Sequence, residues 1–409
     1  MTFLPLYIDP GTGSMLFSLF IGIAAAASFA LRALFIKLRF IFSAGKANTK
    51  DSKSIPFVIF SDHKRYWNVF HGLCDEFERH GVGLVYYTCS PDDPVLSVPY
   101  THVRAEFIGE GNKPYARMNM LHADIVVATT PGLDVYQWRR SRYVKWYVHI
   151  PHTVRSLYCY RMFGIDHYDA VLASGENQIM TAKEIEELRP TITRKEYIVV
   201  GSAVMDNLKA QKDRSGNRAR NERPVVLVAP SWGKSGILTK FGNRFLEALR
   251  KTEYEIVIRP HPQSVVSEQN VLKPLETAFS DFAWNYDTDN FSVLSRADIL
   301  ISDFSGTMFD FALGFDKPVI YTDVDFDTAP YDVAWINGTM WEFTALPKIG
   351  VRLEDKDFSR LASIIQSALE SSALQKGRDE LRRECWANVG GSAHAEFAYL
   401  TNKEKELRG

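Results

Sequence analysis

Several features that would place a chain quickly are missing from this sequence. The four cysteines, Cys74, Cys89, Cys159 and Cys385, make no CxxC pair and no metal-ligand spacing, which excludes a disulfide framework and leaves reduced core thiols. Neither sign of charge is in excess: 48 Lys plus Arg stand against 49 Asp plus Glu, so no broad field for nucleic acid exists. There is no HExxH and no GxxxxGKT. Asp323-Val324-Asp325 follows an apolar run without companion ligands, so no metal is expected. Internal repeats and low-complexity tracts are absent as well, which removes solenoids and tethers from consideration. What remains is 409 residues, enough for two domains, with 13% aromatics as expected of a packed enzyme.

The only long hydrophobic run is near the start. Met15–Leu31 carries no charge, and the uncharged span reaches back to Pro10, about the minimum for crossing a bilayer. Arg32, Lys37, Arg39, Lys46 and Lys50 follow it, whereas Asp9 precedes it, which is the wrong order for a cleaved signal. Residues 1–45 are therefore expected to anchor the chain in a bacterial cytoplasmic membrane by a single pass, with the rest on the cytoplasmic side. A helix lying in the interface is the alternative, because Leu34–Phe42 mixes apolar and basic residues.

Beyond a polar linker the pattern alternates. Strands are expected at Ile55–Ser61, Val82–Cys89, Ala123–Thr130, Val144–Ile150, Asp169–Gly175 and Glu196–Ser202, with helices at Tyr66–Arg79 and Asn177–Leu188. Lys209–Arg223 has charge but no apolar period and reads as an interdomain linker. A second alternation follows: Pro224–Gly233, Tyr254–Pro262, Ala297–Ser302 and Pro318–Tyr321 as strands, Asp357–Ser371 and Lys376–Trp386 as closing helices, and a solvated end after Leu400. Val- and Ile-rich strands separated by helices predict doubly wound parallel sheets. The fold class expected is α/β of the GT-B type, two Rossmann-like domains (55–205 for the acceptor and 224–372 for the nucleotide donor) facing a cleft, with 373–409 packing back.

The candidate chemistry sits at strand ends, where such sheets bind ligands. Around Ser302–Asp310, the hydroxyls of Ser305 and Thr307, the small Gly306 and the unpaired N–H groups of the next helix form a place for a phosphate. Asp303 is suited to capping the turn or orienting a histidine, and Asp310 to a hydroxyl partner or a favourable helix charge. Arg259 and His261, in Arg-Pro-His-Pro, follow the strand Tyr254–Ile258; the arginine suits phosphate oxygens and the proline-flanked imidazole a leaving phosphate. Ser231, Gly233 and Lys234 follow another strand and are candidate diphosphate contacts, while Trp232 either stacks or packs. In the first half, His149 and His152 end a strand, and one of them is placed to take a proton from an acceptor hydroxyl; spacing leaves open which. His63, His71, His80, His102, His122 and His394 lack partner motifs and read as structural, and His167, between Asp166 and Asp169, is left open.

Taken together, RPHP (Arg259–Pro262), SDFSGTMFD (Ser302–Asp310), KPVIYTD (Lys317–Asp323), APSWG (Ala229–Gly233) and the His-bearing strand end resemble the CDP-glycerol glycerophosphotransferase family over Pro56–Leu369. The resemblance implies a GT-B transferase moving glycerol phosphate, or a related polyol phosphate, from a CDP-activated donor to a hydroxyl of a membrane- or lipid-linked saccharide, as in teichoic-acid synthesis. It needs no cofactor beyond the cytidine nucleotide donor. It also implies His261 with one of His149 and His152 as a catalytic pair, and Arg259, Ser305 and Thr307 as diphosphate contacts. One departure stands out: family members carry a Trp-His-Gly-Thr-Pro-type segment followed by Lys, where this chain has Val148–Tyr160. The same motifs also resemble CMP-sugar-dependent sialyl- and Kdo-type transferases. A non-catalytic membrane-anchored binding protein is a further alternative.

Overall fold

Apolar runs buried on both faces build two parallel sheets. The structure is a computed structural model that describes residues 54–409 apart from 190, 191, 193, 217–220, 288–289 and 323–326. The expected membrane anchor and Asp323-Val324-Asp325 thus lie outside the described residues. Among those residues, no helix is long and apolar enough to cross a membrane.

The first sheet comprises β1 (Ile55–Ser61), β2 (Leu84–Thr88), β3 (Val103–Phe107), β4 (Ala123–Ala128), β5 (Val144–His149), β6 (Ala170–Ala173) and β7 (Glu196–Val199), in the order β3-β2-β1-β4-β5-β6-β7. The second comprises β8 (Val225–Val228), β9 (Glu255–Ile258), β10 (Ala283–Trp284), β11 (Ile299–Ser302), β12 (Val319–Thr322) and β13 (Gly350–Leu353), in the order β10-β9-β8-β11-β12-β13. Both run outward from their first strand in the doubly wound manner, so each has a topological switch point, at β1/β4 and at β8/β11. Registers such as Phe60↔Ala128 and Val228↔Ile301 bring the loops after these strands side by side. Alternate residues feed opposite faces: Phe57 and Ile59 enter one core and Val58 and Phe60 another, each fully buried side chain contributing about 1.5–3 kcal/mol.

One expectation is corrected. The first part of the segment read as a linker, Lys209–Ser215, is helical: it ends the helix Ala203–Ser215, which is started by Ser202 Oγ accepting from Met205 N. It lacks an apolar period because only Ala203 and Met205 are buried, and Asp206 docks it instead, accepting from Trp386 Nε1, Gly390 N and Ser392 N. The residues after Leu400, expected to be a solvated end, are exposed or half-buried and continue the helix Ser392–Arg408, whose Phe397 and Leu400 pack into the first lobe's core. The edge strands β3, β10 and β13 and the helix Trp341–Ile349 carry no signal of the kind used above.

The lobes are knitted together at several points. Arg161 and Tyr331 form an antiparallel bridge. Arg189, 5% exposed, spans Asp166 (3.0 Å) of the first lobe and Asp332 (2.9 Å) of the second. Burial pushes the Asp332 carboxyl up to about 6 despite the Arg189 charge. The helix Ser372–Cys385 crosses the helix Trp341–Ile349 so closely that a Cβ on Gly377 would lie 1.9 Å from the Lys348 carbonyl oxygen. Gly377→Ala is therefore expected to destabilise the protein by about 1–3 kcal/mol in urea denaturation; an unchanged midpoint would contradict this crossing.

Candidate functional site

The second lobe's switch point is organised by a buried carboxylate. Asp303, 1% exposed, accepts from Ser231 N (2.8 Å) and Ile237 N (3.0 Å), so the loop after β11 holds the loop after β8 and caps the helix Ile237–Arg250. Ser302 Oγ adds a bond of 2.5 Å to the Ala229 carbonyl. The backbone of Gly233, at φ +94°, donates to Glu268 Oε1 (2.9 Å), while Trp232 stands 54% exposed and so stacks on nothing in the core. Asp303 thus acts as a strut for this edge. Ser305 Oγ accepts from Thr307 N (3.3 Å), and Gly306 opens the helix Thr307–Phe315.

His261 caps the short helix Pro262–Ser267: its Nδ1 accepts from Gln263 N at 3.1 Å. That bond leaves the ring proton on Nε2, so the outer nitrogen is a donor whether the ring is neutral or charged. Burial lowers its pKa, and the Asp303 and Glu268 carboxylates pull it partly back. β9 and β11 flank β8, so His261 and Ser305 leave the same edge about 10 Å apart between strand axes. Arg259 is used differently from what was expected. Its guanidinium bonds Asn285 Oδ1, the Asp287 carbonyl (2.7 Å) and Asn290 Oδ1, bracing the loop after β10.

On the first lobe the two strand-end histidines separate. His149 is fully buried, its Nε2 is 2.8 Å from the Tyr160 hydroxyl, and burial drops its pKa to about 3. His152 lies three residues on, at the cleft, with Nδ1 3.2 Å from Thr129 Oγ1 and its ring beside Tyr66 at 5.1 Å. Burial, helped by the Arg65 charge, lowers it to about 4, so it is neutral at physiological pH. Asp62, at the end of β1, was passed over in the sequence; its Oδ1 is buried without a hydrogen-bond partner.

A cavity of about 470 Å³ opens between these two edges, lined by Tyr66, His152 and Arg155 from the first lobe and Gly306, Thr307 and Asp310 from the second. Arg155 was also missed. Its Nη2 lies 2.9 Å from Cys159 Sγ, its Nε 3.5 Å from Glu342 Oε1, and its guanidinium sits 4.5 Å over the Phe304 ring. Arg155 packs beside the helix start: a Cβ built on Gly306 would stand 3.5 Å from Arg155 Cδ, at ordinary van der Waals contact. The departure from the family segment is the signal that could have pointed to it, since a basic residue is expected after the histidine. Asp310 faces this space as well; burial raises its carboxyl to about 7, with Arg155 opposing. Another depression, of about 520 Å³, lies against the outer face of the second lobe at Arg244 and Asp355, an exposed ion pair, and contains none of these groups. A helix start, an arginine, a neutral imidazole and a high-pKa carboxyl around one cavity can bind a phosphate ester and move a proton beside it.

The family model described as CDP-Glycerol:Poly(glycerophosphate) glycerophosphotransferase matches residues 165–371. The chain belongs to this family. The glycerophosphotransferase match takes in the whole second lobe edge, from Ser231 to Asp310. Among curated proteins, it is 30% identical over 127 residues to the teichoic acid poly(glycerol phosphate) polymerase of Bacillus spizizenii, covering 28% of this chain and 30% of that protein. It is 23% identical over 167 residues to the teichoic acid glycerol-phosphate primase of the same organism, covering 39% and 41%. The chain thus matches less than half the length of these relatives. Among solved structures, the wall teichoic acid polymerase TagF aligns with a TM-score of 0.57 at 14% identity, over 92% of this chain and 98% of that one. The UDP-GlcNAc 2-epimerase of Neisseria meningitidis, solved with UDP-GlcNAc, aligns at 0.53 and 14% identity, over 85% and 100%. These likenesses carry the fold, an α/β architecture of parallel sheets with GT-B-like neighbours.

The Asp310 environment makes a testable demand. A carboxyl whose folded pKa is raised binds its proton more tightly folded than unfolded, so its stabilising effect is complete below about pH 4 and is lost as pH rises through 7. Asp310→Asn should then stabilise the protein at pH 8 by on the order of 1–2 kcal/mol and have little effect at pH 4. Equal effects at both pH values, measured by denaturant unfolding, would contradict the burial assigned to this group.

Proposed function

We propose that this chain transfers glycerol phosphate, or a related polyol phosphate, from a CDP-activated donor to a hydroxyl of a membrane- or lipid-linked saccharide in cell-surface polymer synthesis. The observation that carries this reading is the cavity in which the helix start at Gly306–Thr307 meets His152 and Arg155 from the opposite lobe. The diphosphate sits on the N–H groups of that helix and the hydroxyls of Ser305 and Thr307, with Arg155 neutralising it from across the cleft. The acceptor oxygen attacks the phosphorus that bears glycerol, the bond from that phosphorus to the bridging oxygen breaks in line, and CMP departs.

His152 takes the hydroxyl proton at Nε2. A bond from Nδ1–H to Thr129 Oγ1 leaves that nitrogen its lone pair, and the neutral state of the ring supports the role. His261, with Nε2–H turned outward by its cap, hydrogen-bonds the departing CMP phosphate. His149, fully enclosed, supports the strand end by way of Tyr160. The apolar segment Met15–Leu31 would hold the lobes at the cytoplasmic face of the bacterial membrane, where the acceptor lipid and a soluble nucleotide meet.

Acid–base help of this kind is worth about 10²–10⁴-fold, so His152→Ala and His261→Ala should each slow CMP release from CDP-glycerol by at least ~10²-fold with the melting temperature retained. Unchanged rates in folded variants would remove these residues from the mechanism. Thermal stabilisation by CDP-glycerol, CDP-ribitol and CMP, but not UDP, is expected in parallel. Turnover of a CMP-sugar in place of CDP-glycerol would favour glycosyl transfer, and no response to any nucleotide would favour a binding protein.

A further inference from the structure

Away from the cavity, three side chains from distant parts of the chain converge. Glu76, 6% exposed, and His80 belong to the helix Trp67–Arg79 and its C-terminal cap, and His394 to the first turn of the helix Ser392–Arg408. His80 Nε2 and His394 Nδ1 each lie 3.4 Å from the same atom, Glu76 Oε2. All three ligand atoms fall within 4.8 Å of one another, and this is the one such group of His, Cys, Asp or Glu among the described residues. A charge-assisted bond from imidazolium to carboxylate settles nearer 2.7–2.9 Å, so about half an ångström separates these contacts from good ion pairs. The two carboxylate–imidazole separations of 3.4 Å are instead those of a coordination tetrahedron, in which metal–ligand arms of about 2.0–2.1 Å set neighbouring donors about 3.3–3.4 Å apart.

We propose that Glu76, His80 and His394 bind one borderline divalent cation, Zn²⁺ in class, with the fourth position left to water. Two imidazoles and a carboxylate are a donor set that Zn²⁺ accepts and Mg²⁺, which wants oxygen and an octahedron, does not. The supporting contacts fit. Arg79 engages the other carboxylate oxygen, Oε1, leaving Oε2 to the histidines. The His80 ring stacks on Phe397 (4.6 Å, 11°), which fixes its plane, and the i, i+4 spacing puts Glu76 and His80 on one helix face. The ion would staple the C-terminal helix to the first lobe. None of the three residues lines the cavity, so this site stands or falls apart from the transferase reading.

The test uses the full chain in metal-free buffer, titrated with Zn²⁺ by calorimetry and melted with and without it. One equivalent should bind, the melting temperature should rise, and Mg²⁺ should do neither. Co²⁺ should give the intense visible bands of a four-coordinate site. His394→Ala, at a side chain 70% exposed and so harmless to folding, should weaken Zn²⁺ binding by at least ~10-fold. His71→Ala, which removes an i, i+4 His–Asp pair lacking a third ligand, should leave it unchanged. No stoichiometric uptake by the unaltered chain, or full affinity in His394→Ala, would overturn the proposal.

Discussion

The site depends on one carboxylate that crosses from lobe to lobe. Glu342, on the helix Trp341–Ile349 of the second lobe, is completely buried and accepts from Ser156 Oγ at 2.7 Å, with Arg155 Nε at 3.5 Å. Ser156 and Arg155 belong to the loop that carries His152, so this contact sets the register between the imidazole and the helix start at Gly306–Thr307. Removing one partner from a buried pair of this kind costs about 3–5 kcal/mol, because the other charge is left without compensation. The Arg189 contacts with Asp166 and Asp332 and the Arg161–Tyr331 bridge hold the same lobe boundary at a second point. With two such ties the cavity is pre-formed, which spares the donor much of the ordering cost of binding.

Within that frame each lobe supplies a different kind of group. The second offers fixed dipoles: the N–H groups of Gly306–Thr307 and an imidazole whose proton is pinned outward by its own cap. The first offers groups that respond to their surroundings, a neutral His152 and a cation in Arg155 stacked on Phe304. Burial does most of this tuning. It lowers the histidines and raises Asp310, driving neighbouring titratable groups toward neutrality around a space meant for a charged ligand.

Much of this was legible in the chain itself, and the exceptions have physical causes. Strands buried on both faces, such as Ala123–Ala128 and Ile299–Ser302, announce themselves as unbroken apolar runs, and the loops after β8 and β11 were read as ligand edges from their Ser, Gly and Asp content. The helical stretch Lys209–Ser215 reads as a linker because its helix docks through the polar Asp206 and has no apolar stripe. β10, two residues long, is too short to carry a period. Which of His149 and His152 faces the cleft depended on the chain turning at Pro151, and a three-residue offset does not encode that. Arg259 looked like a phosphate ligand because its residue type and place were right, yet Asn285, Asp287 and Asn290 claim its fork. Arg155 went unnoticed because its importance comes from Glu342 and Gly306, residues of the other lobe.

The central claim is that a nucleotide diphosphate binds between the lobes, on the helix start of the second and under the arginine of the first. A crystal structure of the His152→Asn variant with CDP-glycerol bound tests it most directly. The account predicts diphosphate oxygens within hydrogen-bond reach of the Gly306–Met308 backbone and of Arg155, with the glycerol-bearing phosphorus facing residue 152. A nucleotide bound at another edge, or with its diphosphate turned away from both groups, would contradict it.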